Sequence, residues 1–168
     1  VEVGMGGRLD ATNVIMPEVA IITNIGLEHT HILGKDVMSI AAEKAGIIKS
    51  GIHIITAEKN QEVKELFAKY CLERKAHLTD SSKFSVSAAV GDGFQEITIQ
   101  TLKDSYLTRL KLLGTYQKYN AAAAIAAMEA LQERGFNISK EAIILLFNVF
   151  EQILIINTNK TYIQQHLK

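Results

Sequence analysis

The sequence predicts an α/β fold in which a mostly parallel sheet is followed by an antiparallel extension. Residues 18–25 form a nearly continuous run of β-branched and apolar side chains, which is typical of a strand buried on both faces of a parallel sheet. Strand and helix patterns alternate up to residue 80, as they do in doubly wound sheets. Three extended runs separated by turn residues then replace this alternation and indicate an antiparallel meander.

The first half of the chain supplies the elements of the parallel layer. A short apolar strand at residues 1–3 runs into a glycine-rich turn, and a loop is expected at 26–34. A helix is predicted over residues 36–49, with Asp36 as its cap and Gly51 as its stop, because apolar side chains recur there at helical spacing. The remaining elements of this layer are a strand at 52–56 and an amphipathic helix at 60–76.

The second half supplies the antiparallel extension and two helices. Its extended runs cover residues 84–90, 94–100 and 106–113. Seven alanines keep the surface of a helix predicted over 119–134 small, so this helix can lie close to the sheet, and Gly135 supplies its stop. Ser139 is expected to open a last helix.

Charge, cysteine content and hydropathy exclude several classes of function. The 18 Lys and Arg residues balance the 18 Asp and Glu residues and are scattered along the 168-residue chain, so the basic patch of a nucleic-acid-binding protein is missing. A single cysteine, Cys71, cannot form an internal disulfide, and the amino end does not resemble an export signal, which favours a reducing cytoplasm. The most apolar stretch, residues 143–156, is interrupted by polar side chains and is shorter than the roughly 20 residues of a membrane span. Neither nucleic acid nor a membrane is an expected partner.

Three short blocks carry the side chains that suggest a site. They are VEVGMGGRLDATN at residues 1–13, EHT at 28–30 and EKAGIIK at 43–49. Glu2 lies near the end of the first predicted strand and His29 just beyond the end of the second. Because ligands bind outside the carboxyl ends of parallel strands, the sheet can bring these two side chains together. Taken singly, a strand-end Glu is usually solvated and a His after a strand is usually a loop residue.

Together the three blocks resemble the folylpolyglutamate synthase and dihydrofolate synthase branch of the Mur ligase family, whose members join an amino acid to a carboxylate with ATP. The resemblance implies a central ATPase domain with a P-loop-NTPase-like sheet. It implies that Glu2 and His29 hold Mg²⁺, an ion that accepts a few protein ligands beside phosphate and water. It also implies ATP as a cofactor, and L-glutamate and folate or dihydropteroate as partners.

Lys44 has an ordinary explanation and a catalytic one. Next to Glu43 on a helix, it would normally form an exposed ion pair of little energetic value. In the relatives, the lysine of this block is carbamylated by CO₂ and helps to position a metal or the reacting acyl phosphate. Carbamylation needs the neutral amine, so burial or nearby cations must lower the pKa of Lys44.

The resemblance assigns two further contacts, each with an alternative. Leu9, Asp10 and Ala11 match the loop that holds the pterin part of a folate-like substrate, but Asp10 and Asn13 could instead bond only their own backbone in an Asx turn. Asn120, in the block LGTYQKYNAA, matches the residue that binds adenine. Its alternative is simple helix capping.

Parts of the family pattern are missing from the sequence. It contains no phosphate-binding loop ending in Gly-Lys-Ser or Gly-Lys-Thr, no Trp and only one proline, Pro17. Residues 1–142 therefore resemble the C-terminal part of the central ATP-binding domain, and 143–168 read as a divergent helical tail. The chain is expected to be a piece of a longer ligase and to be inactive alone.

Two other functions stay open at this point. The chain could be a catalytically inactive fragment that binds nucleotide weakly or packs against a partner. Alternatively, it could come from a Mur ligase that acts on a peptidoglycan precursor, although the GRLDATN loop favours folate.

Overall fold

The computed structural model describes residues 1–149, which form two three-stranded sheets with helices packed against them. The strands are β1 (Val19–Ile22), β2 (His53–Thr56), β3 (His77–Asp80), β4 (Ser85–Val90), β5 (Gln95–Gln100) and β6 (Ser105–Leu110). The helices are α1 (Thr30–Leu33), α2 (Val37–Ala45), α3 (Gln61–Glu73), α4 (Gln117–Glu133) and α5 (Lys140–Val149). Two short 3-10 turns cover Ala11–Val14 and Ser81–Lys83.

The first sheet is parallel, in the order β1-β2-β3. Every residue of its central strand β2 is buried, as the apolar pattern predicts for a strand covered on both faces. One face packs on α2 and α3 through a cluster that includes Ile54 and Phe67. The other face packs on α4, where Ile55 meets Ala123 and Ala126. The alanine-rich helix thus lies against the sheet, as predicted.

The second sheet is the predicted antiparallel meander, in the order β4-β5-β6. Side chains of β5 and β6 alternate between buried and exposed. The buried set contains Ile97, Ile99 and Leu110, and it packs with Ile125 of α4 and Phe147 of α5. Because α4 contacts both sheets, it joins the parallel layer to the extension.

Several element boundaries differ from the predicted ones. Residues 1–3 are not a strand, because no neighbouring strand lies beside them within residues 1–149 to pair their backbone. The predicted loop at 26–34 contains the short helix α1, and the edge strand β3 was not predicted because its sequence HLTD is half polar. Asp36 caps α2 as predicted, but the helix ends at Gly46 rather than Gly51.

The predicted tail lies mostly outside the described residues. Its first part belongs to α5, and residues 150–168 are not described. Within residues 1–149, no helix is long and apolar enough to cross a membrane.

Candidate functional site

The glycine-rich turn packs directly on the carboxyl end of α2. Gly7 has a φ of +156°, and a Cβ there would lie 2.9 Å from Ile47 Cγ2 and 3.1 Å from the carbonyl oxygen of Glu43. A Cβ on Gly46 would lie 2.5 Å from Arg8 Cα. Only glycine lets two backbones approach this closely. Gly7 of the first sequence block and Gly46 of the third are therefore explained by the contact between the two blocks.

Polar contacts hold the same two segments together. The Arg8 N–H donates to the Glu43 carbonyl (2.9 Å), and the Arg8 guanidinium donates to both carboxylate oxygens of Glu43 through Nε (3.1 and 3.2 Å). Asn13 Nδ2 donates to the Gly46 carbonyl (3.3 Å), and Lys49 Nζ donates to the Asn13 carbonyl (2.9 Å). We call this set, Arg8, Asn13, Glu43, Gly46 and Lys49, the loop–helix latch.

Asp10 organises the loop from within. Its carboxylate accepts hydrogen bonds from the backbone N–H of Met5 (2.9 Å) and from the N–H and hydroxyl of Thr12 (2.9 and 2.6 Å). These hydrogen bonds lower the pKa of Asp10 to about 2, and the bond from the Thr12 hydroxyl makes the largest contribution. The Asx-type turn weighed as an alternative is therefore present at Asp10, while Leu9 and Ala11 beside it are exposed.

The loop also touches the helix that follows His29. A Cβ on Gly6 would lie 2.8 Å from Leu33 Cδ2, so the two segments are in contact. His29 precedes α1 with a φ of +48°, which is unusual for a residue other than glycine. Gly6 lies four residues after Glu2, and Leu33 lies four residues after His29, so the segments that carry these two side chains are in contact. The side chains of Glu2 and His29 are both exposed.

Lys44 lies in the last turn of α2. It is half-buried, and its backbone carbonyl packs against Gly7. Burial lowers the pKa of Lys44, and the nearby carboxylate of Glu28 partly opposes the shift. Glu43 does not pair with Lys44, because its carboxylate is bound by Arg8. The lowered pKa favours the neutral amine that carbamylation requires.

A buried carboxylate that the sequence did not single out fixes the loop leading to His29. Glu58 follows β2 and is only 5% exposed. One of its oxygens accepts from the N–H of Ile25 (2.7 Å), and the other accepts from Lys59 and Asn60 (2.7 and 2.8 Å). Since Ile25 lies between β1 and His29, Glu58 holds that loop to the end of the neighbouring strand.

Asn120 lies one turn inside α4, not at its end. The helix begins at Gln117, with Tyr116 as its cap residue, so the capping explanation of Asn120 is wrong. Its side chain is half-buried, and Nδ2 donates to Gln117 Oε1 (3.2 Å). The adjacent Tyr119 ring lies 4.4 Å from Lys59 Nζ, which brings the start of α4 near the carboxyl end of β2.

The donor set suits a metal that takes few protein ligands. Within the described part of the chain, no three His, Cys, Asp or Glu side chains surround a common position. Glu2 and His29 offer one carboxylate and one imidazole, a pair that fits Mg²⁺ when phosphate and water supply its other ligands. In the same part of the chain the hydroxyl of Thr23, at the end of β1, is buried without a hydrogen-bond partner.

A model of a known domain family matches most of this chain. The sequence profile of the Mur ligase middle domain matches residues 1–128. The chain belongs to the Mur ligase family. Family membership and the Mur-ligase-type α/β fold, both predicted from the sequence, are thereby confirmed.

Several relatives of this chain are folylpolyglutamate synthases. The dihydrofolate synthase/folylpolyglutamate synthase of Bacillus subtilis is 39% identical over 148 residues, which cover 84% of this chain and 34% of that protein. The apo form of L. casei FPGS superposes with a TM-score of 0.84 and 29% identity, over 89% of this chain and 37% of that one. An FPGS–AMPPCP–folate complex gives a TM-score of 0.84 and 29% identity, over 88% and 37%. The chain spans about a third of the length of these relatives.

The Mur ligase fold brings most of the predicted residues to one region. The loop with Leu9, Asp10 and Ala11 is joined to α2, which carries Lys44, and it touches the helix after His29. Asn120 lies near the start of α4, where the adjacent Tyr119 contacts Lys59 after β2. The roles assigned to these residues and to Glu2 stay predictions. Arg8, Glu43 and Glu58 were not predicted, because their partners lie more than 30 residues away in the sequence.

Proposed function

We propose that the protein containing this chain is an ATP-dependent ligase that adds L-glutamate to folate or dihydropteroate through an acyl phosphate. Residues 1–142 would supply the C-terminal part of its central ATP-binding domain. The observation that carries the proposal is the loop–helix latch, which places the GRLDATN loop against the helix of Lys44. Similarity to an FPGS bound to AMPPCP and folate supports the choice of substrate.

The proposed binding roles follow from side-chain chemistry. Glu2 and His29 would hold Mg²⁺, which neutralises charge on the oxygens of the transferring phosphoryl group. The Asn120 amide both donates and accepts, so it can bind the edge of adenine. Leu9 offers an exposed apolar surface to the pterin ring, and Asp10 retains an oxygen lone pair for a ring N–H.

The chain contributes to catalysis mainly by positioning. The substrate carboxylate would attack the γ-phosphate of ATP and release ADP, and the amino group of glutamate would then displace phosphate from the acyl phosphate. Loop 8–13 would hold the pterin end, and Lys44, once carbamylated, would help to orient the reacting groups. Holding reactants in this way removes the entropic cost of bringing them together.

A substrate panel on the full-length protein tests the proposal. Dihydropteroate, folate monoglutamate and a muramyl peptide precursor are each incubated with ATP, Mg²⁺ and an amino acid, and ADP release and product mass are measured. Glutamate addition to a pterin substrate is the expected result. Activity on the muramyl precursor alone would assign the peptidoglycan alternative, and the 168-residue chain by itself is expected to be inactive.

A pair of histidine variants tests the role of His29. His31 provides a matched control, because it is also exposed and its ring lies 6.3 Å from that of His29. His29→Ala should raise the Mg²⁺ concentration needed for half-maximal activity and lower kcat, whereas His31→Ala should leave both near wild type. Equal effects of the two substitutions would contradict metal binding by His29.

We also propose that the protein works in the reducing cytoplasm. Cys71 is the only cysteine of the sequence and is buried in α3. Burial raises the pKa of its thiol to about 11, so the thiol stays protonated and inert at neutral pH.

A further inference from the structure

The ion pair of the loop–helix latch joins two segments that are distant in the sequence. Arg8 and Glu43 are 35 residues apart, and their side chains are 57% and 25% exposed. Exposed ion pairs contribute little to folding. Nε of Arg8 donates to both carboxylate oxygens of Glu43 (3.1 and 3.2 Å), and Nη2 donates to Oε1 (2.9 Å). A planar fork on a carboxylate fixes direction as well as distance.

The ion pair is reinforced by backbone contacts at the same two residues. The Arg8 N–H donates to the Glu43 carbonyl, and Gly7 packs against the carbonyl oxygens of Glu43 and Lys44. The Gly7–Arg8 peptide and the Glu43–Lys44 peptide are therefore held in one register. A shift of the loop relative to α2 would break all of these contacts together.

We propose that Arg8 and Glu43 are positioning residues that hold the loop of Leu9, Asp10 and Ala11 in register with Lys44. The inference rests on the proposed function, because it assigns the loop to the folate substrate and Lys44 to the reacting centre. Neither Arg8 nor Glu43 needs to touch the substrate. Their effect is to fix the distance between the pterin end of the substrate and the group that orients the acyl phosphate.

The inference predicts a selective kinetic defect. Losing the ion pair should raise KM for the folate substrate and lower kcat, because the substrate binds through a loop that is no longer aligned with Lys44. KM for ATP should stay within about twofold, since Asn120 lies on α4 and makes no contact with the latch. A general loss of structure would instead affect both substrates.

A double-mutant cycle in the full-length enzyme tests this. The variants are Arg8→Met, Glu43→Gln and the two combined. The matched control is Arg109→Met with Glu96→Gln, because these residues form an exposed cross-strand pair between β5 and β6 at 3.7 Å. We expect each latch variant to lower kcat/KM for the folate substrate at least about tenfold, with no further loss in the double variant. The control pair should leave kcat/KM unchanged, and all variants should melt within a few degrees of wild type.

Three outcomes would overturn the inference. They are latch variants that match the control, single defects that multiply in the double variant, and a KM for ATP that rises as much as that for folate. A wild-type enzyme that adds no glutamate to any pterin substrate would instead overturn the proposed function. The two failures are therefore distinguishable from the wild-type measurement alone.

Discussion

Replacing Gly46 by alanine separates the effect of the latch from that of helix propensity. Gly46 ends α2 with φ −59° and ψ −19°, a conformation open to every residue. In open space, alanine at such a position stabilises a protein by about 0.4–1 kcal/mol, because it reduces the entropy of the unfolded chain. Helix propensity alone therefore predicts that Gly46→Ala is more stable than wild type.

The neighbouring loop reverses this expectation. The new Cβ would lie 2.5 Å from Arg8 Cα, whereas ordinary van der Waals contact begins near 3.4 Å, so the loop must retreat by about 1 Å. Overpacking of this kind costs about 1–3 kcal/mol. The net result should be a destabilisation of about 1–2 kcal/mol. A displacement of about 1 Å near reacting groups can also lower kcat/KM by about 10²-fold.

Urea unfolding and steady-state kinetics of the full-length protein measure both effects. Gly51→Ala is the matched control, because Gly51 has a φ of +71° and a Cβ added there would meet no atom within 4 Å. It should lose about 1 kcal/mol from backbone strain alone and keep its kcat/KM. A Gly46→Ala protein that is as stable and as active as wild type would refute the close contact between Arg8 and Gly46.

Two further predictions concern buried polar groups away from the latch. Glu58→Gln exchanges an acceptor oxygen for an NH₂ group, so it should cost about 1–3 kcal/mol and raise the Mg²⁺ requirement. Exposed Glu62→Gln serves as its control in unfolding and Mg²⁺ titrations. Burial, assisted by the charges of His77, Lys103 and Arg134, lowers the pKa of His53 although Glu133 opposes the shift. As the pH falls, His53 therefore becomes protonated in the unfolded chain before it does so in the folded protein. The free energy of unfolding should then decrease as the pH drops below about 6.5. Thermal unfolding between pH 5 and 8 should show a weaker loss of stability toward low pH for His53→Gln than for wild type. An equal loss in the two proteins would exclude His53 as its source.

Much of the fold could be predicted because it depends on local signals. Alternating burial in β5 and β6 follows from their alternating sequence, and the caps at Asp36 and Asn60 follow from residue type at helix starts. The edge strand β3 was missed because its sequence is half polar and none of its residues is fully buried. An edge strand with polar residues lacks a distinctive pattern.

The candidate site was only partly predictable, for a different physical reason. Motif spacing identified the blocks around Glu2, His29 and Lys44, but it could not show which side chains would pair. The partners of Arg8 and Glu58 are 35 and 33 residues away, so they depend on tertiary packing that no local period encodes. For Asp10, the sequence offered both a substrate contact and a local turn, and only the fold showed that the turn is formed.

The bond between Glu58 and Ile25 also bears on the order of assembly. The segment after β1 is synthesised before residue 58, yet its backbone is fixed by that carboxylate. During synthesis the His29 region therefore stays without its final shape until the second parallel strand has emerged and paired. Since contacts distant in sequence are acquired slowly, the proposed Mg²⁺ site at Glu2 and His29 would form late in the maturation of this polypeptide.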